Sequence, residues 1–171
     1  MYCQQPVNTP FGDWWACWLE ADSQPLLALL PAMEYHAWRQ RHPRIQTQEG
    51  HHQRLNLALI RYFSSKDSAA LEQLSIAPLG TAFQLQVWQA MTTLRFGQQA
   101  SYQQLAVKIN HPKAVRALGS ACGANPILLR IPCHRVLAKA KQNRLNFRSD
   151  PRIKAWLLAH EGLSSDLIPL G

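Results

Sequence analysis

Apolar residues in this chain fall first in compact, aromatic-rich runs and later at helical spacing. Phe11 to Leu19 (FGDWWACWL) is followed by turn chemistry at Glu20 to Pro25 and then by Leu26 to Leu30. That order predicts a hairpin whose second strand ends at Pro31. Four tryptophans lie between positions 14 and 38 and are expected to supply core or domain-interface area. Residues 40 to 53 are polar, with His42, His51 and His52, and are expected to form a loop. Leu55 to Phe63 then predicts a helix with Leu55, Ala58, Leu59 and Tyr62 on one face.

Ser64 to Ser68 and Ile76 to Thr81 carry the Ser, Pro and Gly of a connection. This places a domain boundary at residue 78, giving domains 1–78 and 79–171. Beyond it Thr81 is a candidate N-cap, and Phe83, Val87, Trp88, Met91 and Leu94 recur at helical spacing before Phe96-Gly97 stops the run. Ser101 caps a second helix with the stripe Tyr102, Leu105, Ala106, Ile109. A third helix is predicted from Pro112 to Cys122, with Val115, Leu118 and Ala121 or Cys122 inside and Lys113, Arg116, Ala117 and Ser120 on the opposite face. Two short helices across a tight turn, the second with a basic face, fit a helix-turn-helix. The small residues Ala117, Gly119, Ser120, Gly123 and Ala124 suit close approach, either to a neighbouring helix or to a nucleic-acid groove.

Asn125-Pro126 breaks this helix, and Ile127 to Ile131 is expected to be a buried strand or extended segment. A basic, polar loop from Lys139 to Ser149 precedes a last helix, capped by Asp150 with Pro151 at its first position, with Ile153, Trp156, Leu157 and His160 inward and Gly162 as its stop. The fold class is therefore α+β: a small N-terminal α/β domain with an antiparallel hairpin or sheet, then a mainly helical C-terminal domain.

Charge sharpens the division. The net charge is +8. Residues 1 to 78 hold six Lys+Arg against seven Asp+Glu, a balance of −1, whereas residues 79 to 171 hold twelve against three, a balance of +9. No acid occurs between Gln73 and Ser149. A long basic segment in a well-patterned globular sequence points to a polyanionic partner, nucleic acid ahead of a merely basic surface. No stretch reaches the ~18 apolar residues needed to cross a membrane, so the protein is expected to be cytoplasmic. The four cysteines lack CxxC spacing, and Cys3, Cys17 and the histidines near 36 to 52 match no strong zinc-ligand pattern; neither a metal nor a cofactor is expected.

The densest chemistry is Ile131-Pro132-Cys133-His134-Arg135-Val136. A cysteine reacts as its thiolate, and an adjacent imidazole or cation is the usual means of favouring that form. On the hexapeptide alone, a small buried cysteine remains the commoner role.

The surrounding motifs decide otherwise. Gly80-Thr81-x-Phe83-Gln84, Val87-Trp88, Ser101-Tyr102-x-x-Leu105-Ala106, Arg116-Ala117-x-Gly119, Asn125-Pro126, Pro132-Cys133-His134-Arg135-Val136 and Lys154-x-Trp156-Leu157-Leu158-x-x-Glu161 together closely resemble the O6-alkylguanine-DNA alkyltransferases, over about Gly80 to Gly162. The N-terminal half shares only Thr9-Pro10-Phe11-Gly12 and its hairpin. The resemblance implies a DNA-repair methyltransferase in which Cys133 takes the alkyl group from O6-alkylguanine, and also from O4-alkylthymine, in double-stranded DNA, irreversibly and once per molecule. It implies His134 as a base acting through water, Glu161 as its orienting partner, and Asn125 as the holder of the cysteine segment. The second helix of the helix-turn-helix would enter the minor groove, with Ala117, Gly119 and Ser120 near the backbone, Arg116 filling the place of the flipped base and Tyr102 at the target phosphate and guanine. Arg135, Val136, Phe147 and Ser149 would complete the substrate site of a monomeric protein. Relatives carry a Gly-rich loop where this chain has Lys141 to Asp150 without glycine. The competing class is a protein that binds the lesion, or regulates from DNA, without transfer; such relatives lack the cysteine.

Overall fold

The computed structural model describes residues 1–138 and 150–163. They form two compact units, Met1–Leu79 with Pro126–Arg130, and Gly80–Asn125 with the described residues from Ile131 onward.

The first unit is built on a four-stranded sheet of β1 (Tyr2–Thr9), β2 (Gly12–Leu19), β3 (Leu26–Pro31) and β4 (Thr47–Glu49) in the order β3-β2-β1-β4. The expected hairpin is present: β2 and β3 pair antiparallel, Trp15 opposite Leu30 and Cys17 opposite Ala28. The N-terminal strand β1, antiparallel to β2 and parallel to β4, was not expected from the pattern. Its inward positions include Gln5 and Thr9 beside Cys3 and Val7, so polar residues break the apolar alternation that marks a strand. Burial of Gln5 is met by two bonds, to Asn56 Oδ1 at 2.7 Å and from the His52 amide at 2.8 Å.

The stretch taken as a polar loop also needs correction, since it holds the end of α1 (Ala32–Arg41) and the strand β4. Helix α1 buries only Tyr35 and Trp38 and has no capping side chain, which explains its weak signal. By contrast α2 (Gln53–Ser65) buries the expected Leu55, Ala58, Leu59 and Tyr62. His52 is a structural residue: buried, its Nδ1 accepts from the Leu55 amide at 3.1 Å as the cap of α2. A short helix, α3 (Ala69–Glu72), follows.

The second unit contains α4 (Ala82–Met91), β5 (Ala100–Ser101), α5 (Tyr102–Lys108), α6 (Val115–Gly123), a 3₁₀ turn at Cys133–Arg135, β6 (Val136–Leu137) and α7 (Pro151–His160). Thr81 and Ser101 cap α4 and α5, each completing a capping box with Gln84 and Gln104. Trp88 is fixed by its indole N–H donating to the Ala121 carbonyl at 2.8 Å. Gly80 lies so close that an added Cβ would stand 2.6 Å from the Trp88 ring, which accounts for the glycine there.

Two expectations for this unit are revised. The third helix begins at Val115, not Pro112; Pro112 and Lys113 lie in a turn closed by the Ala114 amide donating to the His111 carbonyl at 2.9 Å. In α7, Trp156 and His160 face outward, stacked with ring centroids 4.7 Å apart, while Lys154 is buried with Ile153, Leu157 and Leu158. Helical spacing alone ranked the aromatic above the lysine. The segment Ile127 to Ile131 is buried apart from Arg130, as expected, but forms only one bridge, Ile127 to Leu29.

Candidate active site around Cys133

Three supports fix the position of Cys133. Asn125 stands where the chain leaves the second unit, and its Nδ2 donates to the Ile131 carbonyl, where the chain re-enters, at 2.8 Å. The same amide donates to Cys133 Sγ at 3.2 Å. A buried N–H aimed at sulfur favours the anionic form of the thiol. Downstream, Val136 pairs with Ala100 in the parallel β5–β6 ribbon, which ties the exit of the turn to the start of α5 and so to Tyr102.

Behind the turn lies a buried charge cluster. Glu161, at the end of α7, accepts from His134 Nε2 at 2.7 Å through Oε1 and from Arg135 Nε at 2.8 Å through Oε2. Arg135 adds a second bond to Oε1 at 2.9 Å and one to the Leu94 carbonyl at 2.6 Å, and the Gly97 amide donates to Oε2 at 3.3 Å. This forked pairing is the strong form of carboxylate recognition. Burial alone would raise Glu161, but the bonds from His134 and Arg135 hold it at about 2. His134 is held below its ordinary value by burial, which outweighs the attraction of Glu161; Arg135 and Lys154 oppose a further positive charge. The imidazole is thus neutral at physiological pH, its Nε2–H on Glu161 and its Nδ1 left as the basic nitrogen.

This arrangement predicts acid lability in two steps. Both groups bind protons less readily folded than unfolded, so stability falls with pH in each case. His134 acts below about 6.5, and Glu161 between about 4.5 and 2, the latter step amounting to about 3 kcal/mol. Denaturant unfolding at pH 8.0, 5.5, 4.0 and 2.0 measures it. Equal stability at pH 8.0 and 5.5 would contradict a neutral His134.

The structure brings together Cys133, His134, Glu161, Asn125, Arg135 and Val136. Tyr102 is half-buried, and burial, with the nearby thiols Cys122 and Cys133, pushes its phenol well up, so it stays a neutral donor. Arg116, Ala117 and Ser120 are exposed on α6, with Gly119 half-buried. Phe147 and Ser149 lie outside the described residues. Sequence reasoning passed over Lys154, although its place seven residues before Glu161 puts both on one face of α7.

The sequence model of the 6-O-methylguanine DNA methyltransferase DNA-binding domain matches residues 82–163. The chain is 33% identical over 170 residues to the methylated-DNA–protein-cysteine methyltransferase of Salmonella typhimurium, covering 93% of this chain and 95% of that protein. The chain belongs to the methylated-DNA–protein-cysteine methyltransferase family. Its Haemophilus influenzae relative is 46% identical over 87 residues, a match spanning about half of each protein, 51% of this chain and 48% of the relative. The crystal structure of the Mycobacterium tuberculosis O6-methylguanine methyltransferase superposes with a TM-score of 0.76 at 25% identity, covering 100% of this chain and 97% of that one. The family's fold class is that expected from the sequence, α+β. Among the described residues no helix is long and apolar enough to cross a membrane.

Proposed function

We propose that this protein repairs DNA by moving the alkyl group of O6-alkylguanine, and of O4-alkylthymine, to Cys133 in a single turnover. The observation that carries this reading is the buried Asn125–Cys133 contact backed by the His134–Glu161 pair. The thiol proton passes through a water to Nδ1 of His134, whose positive charge Glu161 then neutralises. Sγ attacks the methyl carbon in line, the S–C bond forms as the C–O6 bond breaks, and the electron pair leaves on the guanine oxygen, which takes up a proton. The product thioether has no leaving group that water or a second base could displace, so one molecule repairs one lesion.

The target atom is paired inside the duplex and has to be turned out to meet a cysteine only 6% exposed. Helices α5 and α6 serve as the helix-turn-helix, with α6 in the minor groove, Arg116 occupying the vacated stack, and Tyr102 donating to the extruded guanine or its phosphate. Arg135 and Val136 shape the site at the exit of the turn, and Phe147 and Ser149 are assigned to the substrate on the family resemblance alone. The protein acts as a monomer. Supporting the groove reading over close helix packing, an added Cβ at Gly119 meets none of the described residues within 4 Å. Gly119→Ala is therefore expected to stabilise the fold by about 0.5–1 kcal/mol while slowing transfer from duplex DNA. Thermal unfolding paired with a transfer time course reads both signs, and unchanged transfer would remove Gly119 from the groove.

With duplex carrying radiolabelled O6-methylguanine in tenfold excess, label on the protein should rise to one methyl per chain and stop. Continued release of labelled product, or tight binding without transfer, overturns the reading in favour of a hydrolase or a lesion-binding protein.

A further inference from the structure

Lys154 is an unusual residue to find at 2% exposure, because a buried ammonium loses several kcal/mol of hydration unless other groups replace it. Its Nζ donates to the Val136 carbonyl at 2.7 Å, three residues beyond Cys133. Lys154 and Glu161 are two helical turns apart, so α7 offers both charges to the same short turn: Glu161 holds His134 and Arg135, while Lys154 holds Val136. The carboxylate of Glu161 is already engaged by the His134 imidazole, the Arg135 guanidinium and the Gly97 amide. Among the described residues the remaining ionisable groups within electrostatic reach are Cys133 and His134 from the turn and Cys122 from α6, with Tyr102 of α5 facing the same two thiols. Cys122 is a poor candidate for the anion: burial pushes its thiol far up, and its Sγ contacts Met91 Sδ at 3.6 Å. Tyr102 is likewise kept neutral by burial. Cys133 is as buried as Cys122 but differs in receiving the Asn125 N–H on its Sγ at 3.2 Å, which makes it the group suited to carry the negative charge.

We propose that Lys154 is a positioning residue whose buried ammonium supplies the counter-charge for the Cys133 thiolate, while its bond to the Val136 carbonyl holds the exit of the reactive turn. The inference rests on Cys133 being the acceptor. It separates two tasks within the site: His134 carries the proton away, and Lys154 makes the sulfur anion tolerable in a dry environment before substrate arrives. When Cys133 becomes a neutral thioether, the ammonium loses its counter-charge, and burial then favours release of its proton.

The test follows carbamidomethylation of Cys133 by iodoacetamide from pH 5 to 10 in the full chain, read on the Cys133 peptide by mass spectrometry. Three variants are compared with the parent protein: Lys154→Met, Lys154→Gln and Lys154→Arg. Lys154→Met removes the charge at similar length, and Lys154→Gln removes it while keeping an N–H for the Val136 carbonyl. Either should move the rate profile to higher pH by one unit or more, an about tenfold loss on the rising limb of the profile, with the high-pH plateau retained. Lys154→Arg should restore most of the shift. Should Lys154→Met fail to fold, Lys154→Gln alone carries the comparison. A profile unmoved in pH but lower in plateau assigns Lys154 to packing and overturns the proposal. Failure of the parent protein to accept methyl from DNA would instead sink the proposed function, and the iodoacetamide profile would still read the charge on Cys133.

Discussion

Glu161→Ala is expected to remove about 3–5 kcal/mol of folding stability, the loss found when one member of a buried ion pair is deleted. The magnitude follows from what remains behind. Arg135, 2% exposed, keeps only the Leu94 carbonyl among its observed bonds, and His134 loses the carboxylate that accepts from its Nε2. Against a typical total of about 5–15 kcal/mol, this leaves a marginal protein. Glu161→Gln keeps the shape and can accept from one of the two, so it should lose less stability yet still impair transfer, because no carboxylate neutralises the imidazolium. Urea unfolding and transfer rates on the two variants separate the roles. A fully stable Glu161→Ala protein would show that Arg135 and His134 do not depend on this carboxylate.

Asn125→Ala should have the next largest effect, chiefly on rate. Its amide both closes the chain between the exit and re-entry of the second unit and points at Cys133 Sγ. Losing it removes one of two donors to the Ile131 carbonyl, the Cys133 amide at 2.8 Å being the other, a cost of about 0.5–1.5 kcal/mol, and lets the sulfur drift. A displacement of 1 Å can lower an oriented reaction about 100-fold. Asn125→Asp should be worse, since a carboxylate donates to neither oxygen nor thiolate and repels the latter. Single-turnover rates at fixed, saturating DNA measure this; an Asn125→Asp variant faster than Asn125→Ala would rule out a donor role.

Much of this site was legible in the chain because its signals are local. Pro132 to Val136 concentrates the reactive groups, Asp150-Pro151 marks the start of α7, and capping residues mark α4 and α5. The family resemblance pointed to Glu161 and Asn125, whose side chains bond His134 and Cys133. What escaped was set by tertiary contact. β1 hides behind Gln5 and Thr9: the burial of Gln5 makes sense only once Asn56 and His52 are beside it, and that of Thr9 only once the turn brings Gly12 and Phe11 to its hydroxyl. Trp156 was expected inward at helical spacing, yet the lysine two residues before it is drawn inward by a carbonyl eighteen residues away in sequence and the tryptophan stays outside, stacked on His160. The start of α6 slipped by three residues because Pro112 suits both the first position of a helix and a turn, and the His111–Ala114 bond selects the turn.

The central claim is that Cys133 is the acceptor. The protein is incubated with an equal amount of duplex containing a single O6-methylguanine, digested, and each of the four cysteine peptides is weighed. One added methylene on the peptide bearing Cys133, absent in Cys133→Ala and absent from the peptides of Cys3, Cys17 and Cys122, is the expected result; an unmodified Cys133, or a methyl group on any other residue, would contradict it.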